Sequence, residues 1–465
     1  MFTNEILERF ADGSPAGVMI RATMENTISA DFLDGVFQKT AQRQRLKELL
    51  FSSVVDLLGH VAIGNRKSVN DAYHAAKERF TVSLAAVYQK IQKVETQVSR
   101  EMVRQSACRM ADVVRHLTPR RPPKLRGYEV RIIDGSHLPA TEHRLAALRT
   151  TRQGPLPGQS LVVLDPDLML LVDVFPWEDG HSQERVILPQ VLQTMKVGQL
   201  WIADRNFCTT DFLFGIAEAK AFFVIRQHAS TLTYELEGTR RKIGRCPTGM
   251  LYEQNMRLKN RAGDTLLVRR VTLALDKPTR SGEAEIHVLT NLPLQDADAW
   301  KVADLYLMRW TVENAFEELG QAFNSEIKTL GYPKAALLSF CVAVLAYNCI
   351  SVVKTAIATA PGGPERERIS GYYLASEIAA AYYGMMIAVS PRLWKKEFGD
   401  LTPPELAKRL KELAAKIRPD RFRKNIHGPK KPRPSNRISG SKNHHISTAR
   451  ALAAYKTKKT IATKA

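Results

Sequence analysis

The sequence predicts an α/β protein carrying an all-β insertion, flanked by helical N-terminal and C-terminal regions. Three observations lead there. Apolar residues recur at helical spacing through residues 1–125. Strand-like and helix-like segments then alternate over residues 126–227. Short β-like runs fill residues 228–291 before helical spacing returns.

Composition bounds the class. The chain has 465 residues, of which 44% are hydrophobic and 25% charged, the balance of a globular protein rather than a disordered or fibrous one. At ~150 residues per domain the length suggests roughly three domains. Cys108, Cys208, Cys246, Cys341 and Cys349 are scattered and form no CxxC pair, which argues against a disulfide scaffold or a zinc ribbon. The net charge of +21 points to a polyanionic partner. From Arg418 onward there are 14 Lys or Arg and a single acid, Asp420, so residues 418–465 carry +13. That stretch has few large apolar residues and is expected to be largely disordered without a partner.

In the first region, Leu46, Leu49, Leu50, Val54, Leu57 and Leu58 share one helical face, as do Leu84, Val87, Tyr88, Ile91 and Val94. Thr81 to Leu117 could be a helix-turn-helix, but no turn glycine fixes it, and a plain helical subdomain is the preferred reading. Thr118 to Pro123 reads as a basic, proline-rich linker. Tyr128 to Ile133 reads as a strand ending at Asp134-Gly135. Ser160 to Leu164 and Leu168 to Val174 read as a hairpin through Asp165-Pro166-Asp167. A helix is expected over Ser182 to Met195, a strand over Leu200 to Ala203, a helix over Thr210 to Lys220 and a strand over Ala221 to Ile225. The insertion's β-like runs are Leu232 to Leu236, Leu251 to Leu258, Leu266 to Leu273 and Glu285 to Leu289. Helices are expected from Asp296 to about Ala415, interrupted by Pro361 to Pro364 and Pro403-Pro404. The uncharged stretch Ala335 to Val353 is long enough to span a bilayer, but it holds Ser339, Asn348 and Ser351 and stands alone. A buried core helix is preferred, and no membrane partner is expected. No basic segment followed by an apolar run opens the chain, so the expected compartment is the cytoplasm.

Chemistry enters with the acids. Asp134 ends the first strand in Ile132-Ile-Asp134-Gly-Ser, and Asp204 ends a later one in Ala203-Asp204-Arg-Asn-Phe. Carboxylates at the carboxyl ends of neighbouring strands share a crevice. Two divalent ions ~3.5–4 Å apart need such a cluster of hard oxygens. A lone Asp-Gly after a strand is more often a turn. The segment Leu305 to Glu313 reads as one helix, with Tyr306, Arg309 and Glu313 at i, i+3 and i+7 on one face. A phenol, a guanidinium and a carboxylate stacked there suit a phosphodiester site, although a surface stripe with a salt bridge is the commoner origin of such spacing. Glu317 is the competitor for Glu313. Asp179, His181, Glu184 and Arg185 read equally as support for the site or as a helix N-terminal cap.

The two strand-end aspartates, the β insertion and the Tyr306-x-x-Arg309-Trp310-x-x-Glu313 segment together resemble DDE transposases of the insertion sequence 4 family, over about residues 128–350. The resemblance implies an RNase H-like core with Asp134, Asp204 and Glu313 as catalytic metal ligands for Mg²⁺ or Mn²⁺, two ions in all. It implies that Tyr306 and Arg309 grip phosphate near a transposon end. The family pattern continues with a Lys seven residues after the Glu, where this chain has Gly320; Lys328 lies two turns further. The partners it implies are double-stranded DNA, as transposon ends and target, and a second copy in a homodimer on that DNA. The setting is nucleoid-associated, in a bacterial cytoplasm. The division expected along the chain is a helical domain, with DNA binding as one reading of it, at 1–125 and a core in two parts at 126–227 and 292–417. The β insertion occupies 228–291 and the basic tail 418–465. The rival readings are a nuclease of the same fold without strand transfer, and a DNA-binding derivative with a decayed centre.

Overall fold

The computed structural model describes residues 4–464 except 46–47, 119–120, 280–281, 324–325 and 426–445; side chains at 321–322, 326–327 and 457–464 are likewise outside the description. The N-terminal region is helical: α1 (Glu5–Gly13), α2 (Pro15–Thr27), α3 (Ala30–Thr40), α4 (Phe51–Ala62), α5 (Val69–Ala75), α6 (Leu84–Lys93) and α7 (Thr96–Leu117). Side chains of Asn4, Ser29, Ser68 and Ser83 accept from backbone N–H groups at the starts of α1, α3, α5 and α6, satisfying donors the helices leave open.

The central element is a sheet of nine strands. They are β1 (Glu129–His137), β3 (Gln159–Asp165), β4 (Leu170–Trp177), β5 (Gln199–Ala203), β6 (Phe222–Arg226), β7 (Thr233–Cys246), β8 (Gly249–Lys259), β9 (Thr265–Leu275) and β10 (Glu285–Thr290); the short β2 (Pro155–Leu156) lies apart. Their order is β4-β3-β1-β5-β6-β10-β9-β8-β7. β1, β5 and β6 run parallel to one another, and the flanking pairs are antiparallel. Period-2 alternation divides the buried side chains. Ile133, Val163, Trp201 and Phe223 pack toward the short α8 (Leu188–Leu192) and α9 (Thr210–Glu218). Val130, Ile132, Leu164, Leu200 and Val224 pack into the larger core that holds α7.

The α/β class with helical flanks thus holds, with four local differences. β1 does not end at Asp134 but continues to His137, because Asp134, Gly135 and Ser136 pair with Val162, Leu161 and Ser160. The helix expected over Ser182 to Met195 is only a turn at Glu184–Ile187 followed by α8, since Pro189 lacks the N–H a continuous helix needs. The β insertion is no separate body: β10 pairs with β6, so its strands extend the central sheet. The segment Leu305 to Glu313 is broken between α10 (Ala299–Leu307) and α11 (Trp310–Ala322), with Met308 and Arg309 in the joint.

Behind the sheet runs α12 (Pro333–Thr359), buried almost throughout. Its Asn348 accepts from Leu171 N at 2.8 Å and donates to Leu171 O at 2.9 Å, clamping the helix to β4. The polar residues that tempered the membrane reading are therefore packing devices of a core helix. The C-terminal helices α13 (Gly371–Ala388), α14 (Pro391–Trp394) and α15 (Pro403–Ala414) pack back onto this region. The tail expected to be disordered is in part structured. Phe422 is buried, Ser370 N donates to Phe422 O at 2.7 Å, and residues 446–447 form β11 (Ile446–Ser447), which pairs in parallel with β2 before α16 (Thr448–Lys464). The remainder of that expectation, residues 426–445, lies outside the described residues.

Candidate active site

The site lies at the carboxyl end of the parallel strands. β1 and β5 run side by side through Ile132 and Ile202, so Asp134 and Asp204, each two residues on, leave the same sheet end together. Asp204 follows β5 and turns the chain: its Oδ1 accepts from Asn206 N at 2.7 Å. Asp134 Oδ1 accepts from Gly135 N at 2.9 Å. Glu313 comes from the first turn of α11, and Arg309 at the joint before it reaches both sides. Arg309 Nη1 is 2.6 Å from Glu313 Oε1 and 3.4 Å from Asp134 Oδ2. Tyr306 is mostly buried at the end of α10 and hydrogen-bonds with Arg309; burial raises its phenol, and Asp204 adds to the effect.

Electrostatics mark the place. Burial pushes the Asp134 carboxyl up to about 6; the Gly135 N–H and Arg309 oppose this, while Asp204 and Glu313 add to it. Asp204 and Glu313 each lie close enough to Asp134 for its carboxyl to sense their charge. Among the described residues, no three His, Cys, Asp or Glu are arranged as a ready metal-ligand group. The guanidinium of Arg309 instead is the cation shared by Asp134 and Glu313. The donor set fits a divalent ion: hard carboxylate oxygens at a partly buried point that already attracts a cation.

A fourth carboxylate joins them. Glu184 lies against Gly135, where an added methyl would overlap its Oε1. It hydrogen-bonds with Asn206, and burial pushes it up to about 7, with Asp134 and Asp204 adding to the shift. Arg185 Nε donates to Asn206 O at 2.9 Å. The loop before it is tied down by Gln159, which donates to Ser182 O at 2.8 Å, and by Arg450 of the tail, 2.6 Å from Asp179. The sequence flagged Glu184 only as a cap or support. The signal that could have raised it is Gly135 beside Asp134, a residue without a Cβ in mid-strand, which implies a close neighbour.

Neighbouring charged residues serve other partners. Glu318 pairs with the buried Lys354, 3.0 Å away, inside the helical core. Asp165 pairs with Arg131 at 2.7 Å and Asp173 with Arg100 at 2.8 Å, so both are structural partners. Arg205 and Arg226 share Glu283, reached from the loop between β9 and β10. Gly320 and Lys328 are exposed on the chain after Glu313.

A cryo-EM structure of a piggyBac transposase synaptic complex with hairpin DNA is similar to this chain at 10% identity, covering 85% of this chain and 86% of that one, with a TM-score of 0.36. Among curated proteins none matches the sequence. Residues 125–349, which contain all five of the residues singled out from the sequence, match the family described as Transposase DDE domain. The protein thus carries a transposase DDE domain over residues 125–349.

Proposed function

We propose that this transposase, of the insertion sequence 4 type, cuts DNA at transposon ends and joins the freed 3′-hydroxyl ends to target DNA. Asp134, Asp204 and Glu313 would hold two Mg²⁺ or Mn²⁺ ions, and Tyr306 and Arg309 would grip phosphate, in a homodimer on nucleoid DNA in the cytoplasm. The observation that carries this reading is Arg309 placed between Asp134 and Glu313 at the end of the parallel strands. A bound divalent ion supplies activation of water and then of the 3′-hydroxyl, together with charge neutralisation on the phosphoryl oxygens.

The chain's own residues do the positioning. Asn206 N and Gly135 N each hold one carboxylate oxygen of Asp204 and Asp134, and Arg309 meets the second oxygen of Asp134. Arg309 presents a planar fork that matches a phosphate as well as a carboxylate, so it can exchange one for the other without moving far. Tyr306, held beside it, is a neutral donor for a phosphate oxygen.

The test is cleavage and strand transfer on a DNA duplex carrying the element's end, with Asp134→Asn, Asp204→Asn and Glu313→Gln. Each variant should bind that end and fail at both steps, on uncut and on pre-cut ends. Cleavage at the wild-type rate by any of the three would remove that residue from the proposed set. Cleavage without joining by the wild type would replace this reading with that of a nuclease.

A further inference from the structure

Glu184 reaches the site from the side opposite Arg309. Its turn packs on the turn at Arg205–Phe207, whose Asn206 N–H holds the Asp204 carboxylate. Its carboxylate sits on Gly135, the residue after Asp134, in the space a side chain there would fill. It bonds to the Asn206 side chain, while Arg185 holds the Asn206 carbonyl, so Glu184 and Arg185 bracket the residue that orients Asp204. Arg309 neutralises Asp134 and Glu313 from their own side. Among the described residues, neither Asp204 nor Glu184 forms an ion pair.

We propose that Glu184 is a fourth functional carboxylate of this centre, whose charge strengthens divalent-cation binding at Asp134 and Asp204 and whose hydrogen bond to Asn206 keeps Asp204 in place. The inference rests on the assignment of Asp134, Asp204 and Glu313 as cation ligands. The Asn206 backbone N–H fixes Asp204 while the Asn206 side chain bonds Glu184, and the added negative charge raises the site's attraction for a divalent ion beyond what three acids and one arginine leave. Gly135 is then a requirement of the site, because any Cβ there would displace the Glu184 carboxylate.

The experiment is titration calorimetry with Mn²⁺ on the full chain, without DNA, comparing wild type with Glu184→Gln, Glu184→Asp, Arg185→Gln and Asp204→Asn. Gln keeps the size of the side chain and its bond to Asn206 but not the charge, so affinity should fall about tenfold, at the lower end of what loss of a supporting group costs. Glu184→Asp should recover part of that loss, and Arg185→Gln should bind close to wild type. If Glu184→Gln does not fold, Gly135→Ala replaces it and should show the same tenfold loss. Wild-type affinity in Glu184→Gln alongside a loss in Asp204→Asn would overturn the role of Glu184 alone. Equal losses in Glu184→Gln and Arg185→Gln would reduce it to packing of the turn. Wild-type affinity in Asp204→Asn would overturn the underlying ligand assignment.

Discussion

Arg309 and Asp134, 175 positions apart in the chain, meet in an ion pair of 3.4 Å at the end of the parallel strands. Arg309 also holds Glu313 at 2.6 Å, so one guanidinium satisfies two acids of the site. Replacing it by Gln leaves the partly buried Asp134 and Glu313 repelling each other, which lowers stability. Millimolar Mn²⁺ should then raise the melting temperature of Arg309→Gln more than that of the wild type. An equal rise in both proteins would show that Arg309 and the ion do not compete for the same acids.

Asp204→Asn keeps the shape of the side chain and its bond to Asn206 N while removing the charge a divalent ion requires. DNA cleavage in Mg²⁺ should be lost with DNA binding retained, as read by gel shift and by cleavage of the same labelled duplex.

Arg100 binds Asp173 with two hydrogen bonds, at 3.0 and 2.8 Å, and stacks on Phe175, tying α7 to β4. Both side chains are nearly buried, at 11% and 12% exposure. Arg100→Ala strands the Asp173 charge and should cost about 3 kcal/mol in urea unfolding. Arg100→Met with Asp173→Leu should cost less, because no charge is left unpaired.

His287 offers a pH test remote from the acids. Its Nε2 accepts from Arg270 at 2.8 Å, and its Nδ1 lies 2.9 Å from Thr272 Oγ1. Burial, and then Arg270, lower the imidazole to about 4, with Arg240 and Arg226 adding and Glu285 opposing. The unfolded chain takes up this proton near pH 6.5 and the folded chain only near 4. The neutral ring therefore contributes stability that is present above pH 6.5 and is lost as pH falls toward 4. His287→Gln should flatten the fall in stability across that window by about 1–2 kcal/mol after allowance for solvent screening. An unchanged slope would mean the imidazole is not held neutral.

The tail should carry part of the DNA affinity without choosing the sequence. Because Phe422 is buried, the cut belongs after Asn425, and deletion of residues 426–465 removes ten Lys or Arg. Loss of five phosphate contacts would flatten the slope of log K against log salt by about 4 to 5. Preference for the transposon end should persist, since phosphate contacts carry no sequence information. A salt slope equal to that of the full chain would show that the tail does not touch DNA.

What the sequence determined by itself was local. Short apolar runs bounded by turn residues marked β3, β4 and the strands of the insertion, and helical spacing marked the N-terminal region, because each pattern is set by neighbours a few residues away. The motif residues Asp134, Asp204, Tyr306, Arg309 and Glu313 were visible for the same reason. The joint at Met308 was not. A helical stripe continues through it, and only the packing of α10 and α11 against different strands breaks it.

Tertiary structure alone decided which charges meet. The β insertion could be read strand by strand, but its merger with the central sheet depends on β10 pairing with β6 across the whole insertion. A helix was expected from Ser182, whereas α8 begins only at Leu188, so Glu184 looked like a helix cap. Its place beside Asp134 depends on strands distant in sequence being brought into register. Spacing along a chain fixes the face a residue shares with its near neighbours. Distances between carboxylates, and the arginine that separates them, arise only when β1, β5 and α11 pack together, because electrostatic interaction falls with separation in space and not in sequence.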